Sequence, residues 1–177
     1  MNYSNDILAK AEKIKLLICD VDGVLSDGKV YFTDSGLELK NFNIKDGLGI
    51  KLLQAEAINV AIITGRQSDI VTKRAKELGI QLLFQGQKDK RAAFHDILSQ
   101  LDLKPEQAAH IGDDLPDLPL MKRSGLGIAV ADAYPFVKQH ADWITEQAGG
   151  QGAVRNAADL ILFAQNKLKS ICHSFLQ

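Results

Sequence analysis

Cysteine is nearly missing from this chain: Cys19 and Cys172 are the two examples among 177 residues. Two thiols so far apart build neither a disulfide framework nor a thiolate metal cluster, and they fit a reducing compartment. Long apolar runs are missing too. None approaches the roughly 20 residues that a bilayer crossing needs. The first fifteen residues mix Asp6, Lys10, Glu12, Lys13 and Lys15 with scattered apolar residues. They lack the basic head, apolar centre and small-residue cleavage site of a signal peptide, so a soluble, cytoplasmic protein is expected. Neither sign of charge dominates. Lys plus Arg number 21 and Asp plus Glu 22, a formal charge of −1. That balance gives no electrostatic reason to expect nucleic acid or an anionic membrane as partner, though it leaves room for a local basic pocket. Internal repeats, low-complexity tracts and long linkers are absent as well.

What is present is the composition of a folded core, with 46% apolar and 24% charged residues over the length of one ordinary domain, 1–177. Short apolar runs alternate with longer amphipathic stretches. Strands are expected over 14–20, 59–64, 81–84, 108–113 and 127–130, with a short edge strand at 143–145. Helix-length segments lie at 47–57, 68–79, 89–101, 115–123, 133–140 and 153–171. Buried strands alternating with helices predict an α/β fold whose parallel sheet is covered on both faces. One insertion interrupts the alternation. The β-prone runs 29–33 and 37–42 flank Asp34-Ser35-Gly36, so a β-hairpin is expected directly after the first strand.

In open α/β sheets, ligands sit beyond the carboxyl ends of the strands. Here the strand ends carry Asp20 and Asp22, then Thr64-Gly65-Arg66, then Gly112-Asp113-Asp114. Lys88-Asp89-Lys90 opens the helix after the third strand. Several carboxylates in one small volume repel one another unless a cation joins them. Oxygen-only ligands suit Mg²⁺, which keeps waters and accepts phosphate oxygens. In Asp20-x-Asp22-Gly23 the first carboxylate can attack phosphorus and the second can move protons at the leaving oxygen. Gly23 leaves room for a tight turn. The Thr64 hydroxyl and the Gly65 and Arg66 N–H groups, at an expected helix start, can hold phosphoryl oxygens. A lysine can neutralise the transferring group.

In this order, the set resembles the haloacid dehalogenase (HAD) superfamily of phosphatases. The stretches Asp20–Leu25, Ile62–Arg66, Asp89-Lys90 and Gly112–Asp117 look like its four motifs. The resemblance implies a Rossmannoid fold with Asp20 as nucleophile, Asp22 as acid/base, and Thr64 and Lys90 as catalytic partners. It selects Lys90 over Lys88. It also implies Mg²⁺ held by the Asp20 carboxylate, the Asp22 carbonyl and the Asp113 carboxylate, with Asp114 and Asp117 supporting. Within the superfamily the chain is similar, over almost its whole length, to the family of phosphatases that act on 3-deoxy-D-manno-octulosonate (KDO) 8-phosphate. Further carrying stretches are Phe42–Gly47, Gln85-Gly86-Gln87 and Gly149–Arg155. That family has no separate cap domain and forms homotetramers. Its hairpin, here about 29–42, packs across a subunit boundary, and its glycine-rich segment, here about 149–155, can reach a neighbour's site.

The same resemblance assigns substrate contacts to Asp22, Asn43, Ile44, Lys45, Asp46, Gly47, Lys51, Gly65, Arg66, Arg74 and Lys90. Arg66, Arg74 and Lys51 are suited to the phosphate and carboxylate of a sugar-acid phosphate. Asn43 and Asp46 could equally form turns and helix caps. One position departs from the pattern: Asn156 stands where family members often carry an acid. The implied activity is Mg²⁺-dependent hydrolysis of KDO 8-phosphate in lipopolysaccharide biosynthesis. A nine-carbon ulosonate 9-phosphate is the alternative substrate. A signalling receiver domain fits less well, because its phosphorylated Asp lies on a later strand. A catalytically idle scaffold of the same fold is opposed by the complete acid set.

Overall fold

The computed structural model describes residues 3–176. The chain opens with helix α1 (Asn5–Ala11) and strand β1 (Leu16–Cys19), followed by the hairpin strands β2 (Tyr31–Phe32) and β3 (Glu38–Leu39). Then come α2 (Ile44–Ala55), β4 (Asn59–Ile63), α3 (Asp69–Leu78), β5 (Leu82–Phe84), α4 (Lys90–Leu101) and β6 (Ala108–Gly112). The remainder is α5 (Leu118–Met121), β7 (Leu126–Ala129), α6 (Pro135–His140), β8 (Trp143–Ile144), α7 (Ala153–Ala164) and α8 (Leu168–Ser174). Six strands form one parallel sheet in the order β5-β4-β1-β6-β7-β8. The β2–β3 hairpin is separate and antiparallel, pairing Tyr31 with Leu39 and Phe32 with Glu38.

The period-two geometry of strands explains why the apolar runs are continuous. Successive side chains leave opposite faces of the sheet, so a strand covered on both sides must be apolar throughout. Leu17, Cys19, Val60, Ile62, Ala109 and Ile111 point to one core, shared with α1, α2, α3 and α7. Leu16, Ile18, Ala61, Ile63 and Ala108 point to a second core, where Phe94, Ile97 and Leu98 of α4 and Leu120 of α5 meet them.

Several helix boundaries differ from the sequence reading. Helix α1 was not expected; Ser4 caps it by accepting from Ile7 N. Helix α2 begins at Ile44 rather than 47, because Asn43 caps it by accepting from Lys45 N at 2.9 Å. The expected helix 115–123 divides into a tight 3-10 turn over Leu115–Asp117 and the short α5. The expected helix 153–171 breaks in two. Asn166 takes a left-handed conformation (φ 59°), and Lys167 N donates back to Leu162 O at 2.8 Å. This is a helix-ending turn, invisible in an apolar period that resumes on the other side.

Candidate active site

The fold gathers the carboxyl ends of β1, β4 and β6 at one edge of the sheet. A cleft of about 390 Å³ opens there, lined by Asp20, Asp22, Thr64, Gly65, Arg66, Gln87, Lys88, Lys90, Asp113, Asp114, Pro116 and Asp117. Asp20 follows β1, and its N–H continues the sheet pairing by donating to Ile111 O. Thr64 follows β4 and is buried. Its backbone is locked on both sides: its N–H donates to Phe84 O, and its carbonyl accepts from Gln87 N. Lys90 begins α4 behind the cap residue Asp89, whose side chain accepts from Arg91 N at 3.0 Å.

Two glycines carry the close packing. Gly23 has φ +90°, and a side chain there would collide with the Asp113 carboxylate. Gly149 lies so tightly under the loop after β1 that an added Cβ would fall 1.7 Å from the Gly23 carbonyl oxygen. Gly150 N donates to Val24 O at 2.9 Å. Within this chain, therefore, the glycine-rich segment supports the loop after β1.

Charge at the edge is unbalanced. Carboxylate oxygens of Asp20, Asp113 and Asp117 all lie within 4.8 Å of one another. Lys90 Nζ stands 3.0 Å from Asp20 Oδ1 and 2.7 Å from Asp117 Oδ1. Burial, reinforced by Asp117, pushes the Asp20 carboxyl up to about 6 against the opposing pull of Lys90. Burial and the charges of Asp117 and Asp20 push Asp113 up to about 8. Lys90 is held above the usual lysine range: its burial opposes the shift, but the Asp117 and Asp20 charges win. Asp117 is held low despite its burial, because His110 and Lys90 both bond its Oδ1.

These observations identify which acids are free to ligate a cation. Asp117 has none to spare. Its Oδ1 is shared by Lys90 and His110 Nε2 (3.0 Å), and its Oδ2 accepts from Asp113 N (3.0 Å) and Asp114 N (3.4 Å). Asp114 turns its Oδ1 to Leu115 N and caps the 3-10 turn. Asp20 Oδ1, by contrast, is buried with the Lys90 ammonium at 3.0 Å as its partner. The close approach of the carboxylates, the all-oxygen donor set and the raised pKa values of Asp20 and Asp113 fit a hard divalent ion such as Mg²⁺.

The other residues expected to touch substrate are not all in this cleft. Arg66 lines it, with its Nη2 2.8 Å from Glu38 Oε1. Gly65 and Arg66 lie in a loop, not at the expected helix start, because α3 begins only after Ser68. Asn43, Ile44, Lys45 and Lys51 lie on or beside α2. Lys45 and Lys51 are exposed, and Ile44 is 82% exposed. Arg74, on α3, pairs with Glu77 and stacks over the Phe42 ring. Gly47 leaves the space that the Arg74 guanidinium fills. Asp46 is buried, and its Oδ1 accepts from Arg155 N at 2.8 Å. Backbone N–H groups of Gly152 and Val154 add to that contact, while burial raises its carboxyl to about 6. Asp46 thus caps α7 across 109 residues of sequence, a use of its carboxylate other than the expected substrate contact. Asn156, the departure from the family pattern, accepts from Gln147 N at 3.0 Å.

Three residues of the site were missed by the sequence reading. His110 was read as a packed core residue; it is buried, and it also holds Asp117. Glu38 and Lys40 reach the cleft from the hairpin. Lys40 Nζ bonds Asp22 Oδ1 and stands 3.3 Å from Glu38 Oε1. A signal existed: in a strand, positions 38 and 40 share a face, opposite the exposed Leu37 and Leu39.

Comparison with known proteins agrees with this geometry. A profile described as haloacid dehalogenase-like hydrolase matches residues 83–157. A 3-deoxy-D-manno-octulosonate 8-phosphate phosphatase of Yersinia pestis is 52% identical over 166 residues, covering 94% of this chain and 89% of the relative. The Escherichia coli K12 protein of that name is 53% identical, covering 93% and 88%. Among solved structures, the Moraxella catarrhalis phosphatase, in complex with magnesium ion, phosphate ion and KDO, superimposes with a TM-score of 0.95 at 44% identity, covering 98% of this chain and 99% of that one. A cobalt-bound Haemophilus influenzae phosphatase gives 0.90 at 43% identity, with 95% and 99% covered. Identity above one half across more than nine-tenths of the sequence, on the same backbone, means that this chain belongs to the 3-deoxy-D-manno-octulosonate 8-phosphate phosphatase family of HAD-like hydrolases.

Proposed function

We propose that the chain is a Mg²⁺-dependent phosphatase that hydrolyses KDO 8-phosphate to KDO and inorganic phosphate through an aspartyl phosphate. The observation that carries this reading is the convergence of Asp20, Asp113 and Asp117 with Lys90, four residues spread over nearly a hundred positions. The Asp20 and Asp113 carboxylates and the Asp22 carbonyl would hold the ion. Bound there, Mg²⁺ supplies positive charge against which the phosphoryl oxygens and the attacking carboxylate can approach.

The chain's own groups perform the rest. An Asp20 oxygen forms a bond to phosphorus as the bond to the sugar oxygen breaks. The departing oxygen keeps that electron pair and takes a proton from the Asp22 carboxyl. Asp22, now a carboxylate, removes a proton from water as that water bonds to phosphorus. The acyl-phosphate bond breaks, phosphate leaves, and Asp20 regains its charge. Thr64 and the Gly65 and Arg66 N–H groups lie where phosphoryl oxygens would be held. Lys90 neutralises Asp20 and the transferring group, and Asp117 and Asp114 keep the Asp113 loop in shape.

The product would enter lipopolysaccharide biosynthesis. The proposed assembly is a homotetramer; the apolar hairpin, where Val30, Phe32, Leu37 and Leu39 are exposed and Phe32 is 67% exposed, supports burial against another copy of the chain. In it, Arg74, Lys51 and the capped start of α2, Asn43–Gly47, would serve the substrate from near a subunit boundary. Among the described residues no helix is long and apolar enough to cross a membrane. The decisive assay offers KDO 8-phosphate and a nine-carbon ulosonate 9-phosphate side by side with Mg²⁺, and compares kcat/KM. The expected result is a preference for the eight-carbon substrate that disappears with chelator. Faster turnover of the nine-carbon compound would overturn the substrate assignment.

A further inference from the structure

Lys40 is a lysine where solvated charge is the usual expectation, yet its side chain is only 1% exposed. Covering an ammonium group costs several kcal/mol unless carboxylates meet it. Two do. Asp22 accepts through Oδ1, and Glu38 stands 3.3 Å away. Glu38 in turn binds Arg66 at 2.8 Å. The result is a bridge, Asp22–Lys40–Glu38–Arg66, running from the loop after β1, through the hairpin, to the loop after β4. The base of the hairpin is pinned nearby, where Asp27 N donates to Asn41 Oδ1 at 3.2 Å. Lys40 is therefore held in place from both sides.

We propose that Lys40 is a positioning residue for the acid/base: by occupying Oδ1 of Asp22 it leaves the second carboxyl oxygen as the one that exchanges protons with the leaving group and the attacking water. The hairpin thus belongs to the reacting centre of its own chain, beyond any part it has in assembly. The inference rests on the phosphatase reading but not on the identity of the sugar. A carboxylate free to rotate spends less time with an oxygen facing the departing group, and general acid help of roughly 10²- to 10⁴-fold depends on that placement. The loss falls on poor leaving groups. A sugar alkoxide needs the proton, whereas a nitrophenolate scarcely does.

The test is Lys40→Met, with Lys40→Arg beside it, assayed with Mg²⁺ on p-nitrophenyl phosphate and on the sugar-acid phosphate the wild type turns over best. For Lys40→Met, kcat/KM, which reports the steps up to formation of the aspartyl phosphate, is expected to fall by roughly 10- to 100-fold on the alkyl phosphate and by no more than about threefold on the aryl phosphate. Lys40→Arg should recover most of the difference. Equal losses of kcat/KM on both substrates would mean that Lys40 only supports the fold, and a loss on the sugar phosphate that lies wholly in KM, with kcat unchanged, would mean that it binds the sugar; either result overturns the proposal. If the wild type hydrolyses neither substrate, it is the phosphatase reading that fails, and the two failures are told apart.

Discussion

The carboxyl edge of the sheet and the outer flank of α2 both carry residues expected to meet substrate, and the chain builds them in opposite ways. At the edge, Asp20, Lys90, Asp117 and His110 are buried and interlocked, each contacting at least one other. On the flank, Ile44, Lys45 and Lys51 are exposed, and Arg74 is engaged with Glu77 and Phe42. Reaction chemistry needs charges fixed before substrate arrives, and burial fixes them. Groups that only bind tolerate a looser arrangement than groups that react.

Removing the proposed nucleophile attacks the edge most directly. Asp20→Asn should abolish phosphate release, by more than about 10⁴-fold, while the thermal midpoint changes little. Retained turnover with normal Mg²⁺ dependence would place the nucleophile elsewhere. Next in size is Lys90→Met, which leaves Asp20 and Asp117 facing each other without their shared cation. Stability should drop by about 3 kcal/mol in denaturant titration, and kcat by at least about 100-fold. A change at the flank should be milder and of another kind. Arg74→Ala is expected to raise KM roughly tenfold with kcat nearly intact, the pattern of lost binding without lost chemistry. If Arg74→Ala lowers kcat as much as Lys90→Met does, the division between the two regions is wrong.

The last break is a linkage between pH and metal, read on the intact chain. Asp20 and Asp113 titrate near 6 and 8 in the folded chain, above the ordinary 3.8. Their stabilising contribution is complete below about pH 4 and is lost as pH rises through those two values. The metal-free thermal midpoint should therefore decline between about pH 4 and 8. Mg²⁺ requires the ionised carboxylates, so the rise in midpoint on adding it should grow over the same interval. A Mg²⁺ effect that stays flat with pH would remove these two acids from the metal site.

What could be read from the sequence is what local order encodes. Asp20, Thr64 and Asp113 were legible because each follows a run of apolar residues, and parallel strands deliver such positions to a common edge. The hairpin was legible from Asp34-Ser35-Gly36 between β-prone runs. Contacts between distant segments were not. Nothing near Asp46 announces that its carboxylate will cap a helix 109 residues away. Nothing near Lys40 names Asp22, although the shared strand face of Glu38 and Lys40 was a clue. The break at Asn166 escaped because apolar periodicity continues on both sides of one left-handed residue.

The tight seat of Gly149 beneath Gly23 has a consequence for the order of events at the ribosome. All four motifs have been synthesised once Asp117 is made, yet the turn after Asp20 still lacks the surface it rests on. That surface arrives late, when about the last sixth of the polypeptide folds back beneath the first. A nascent product ending before Gly149 would carry all four motifs without the seat of the first.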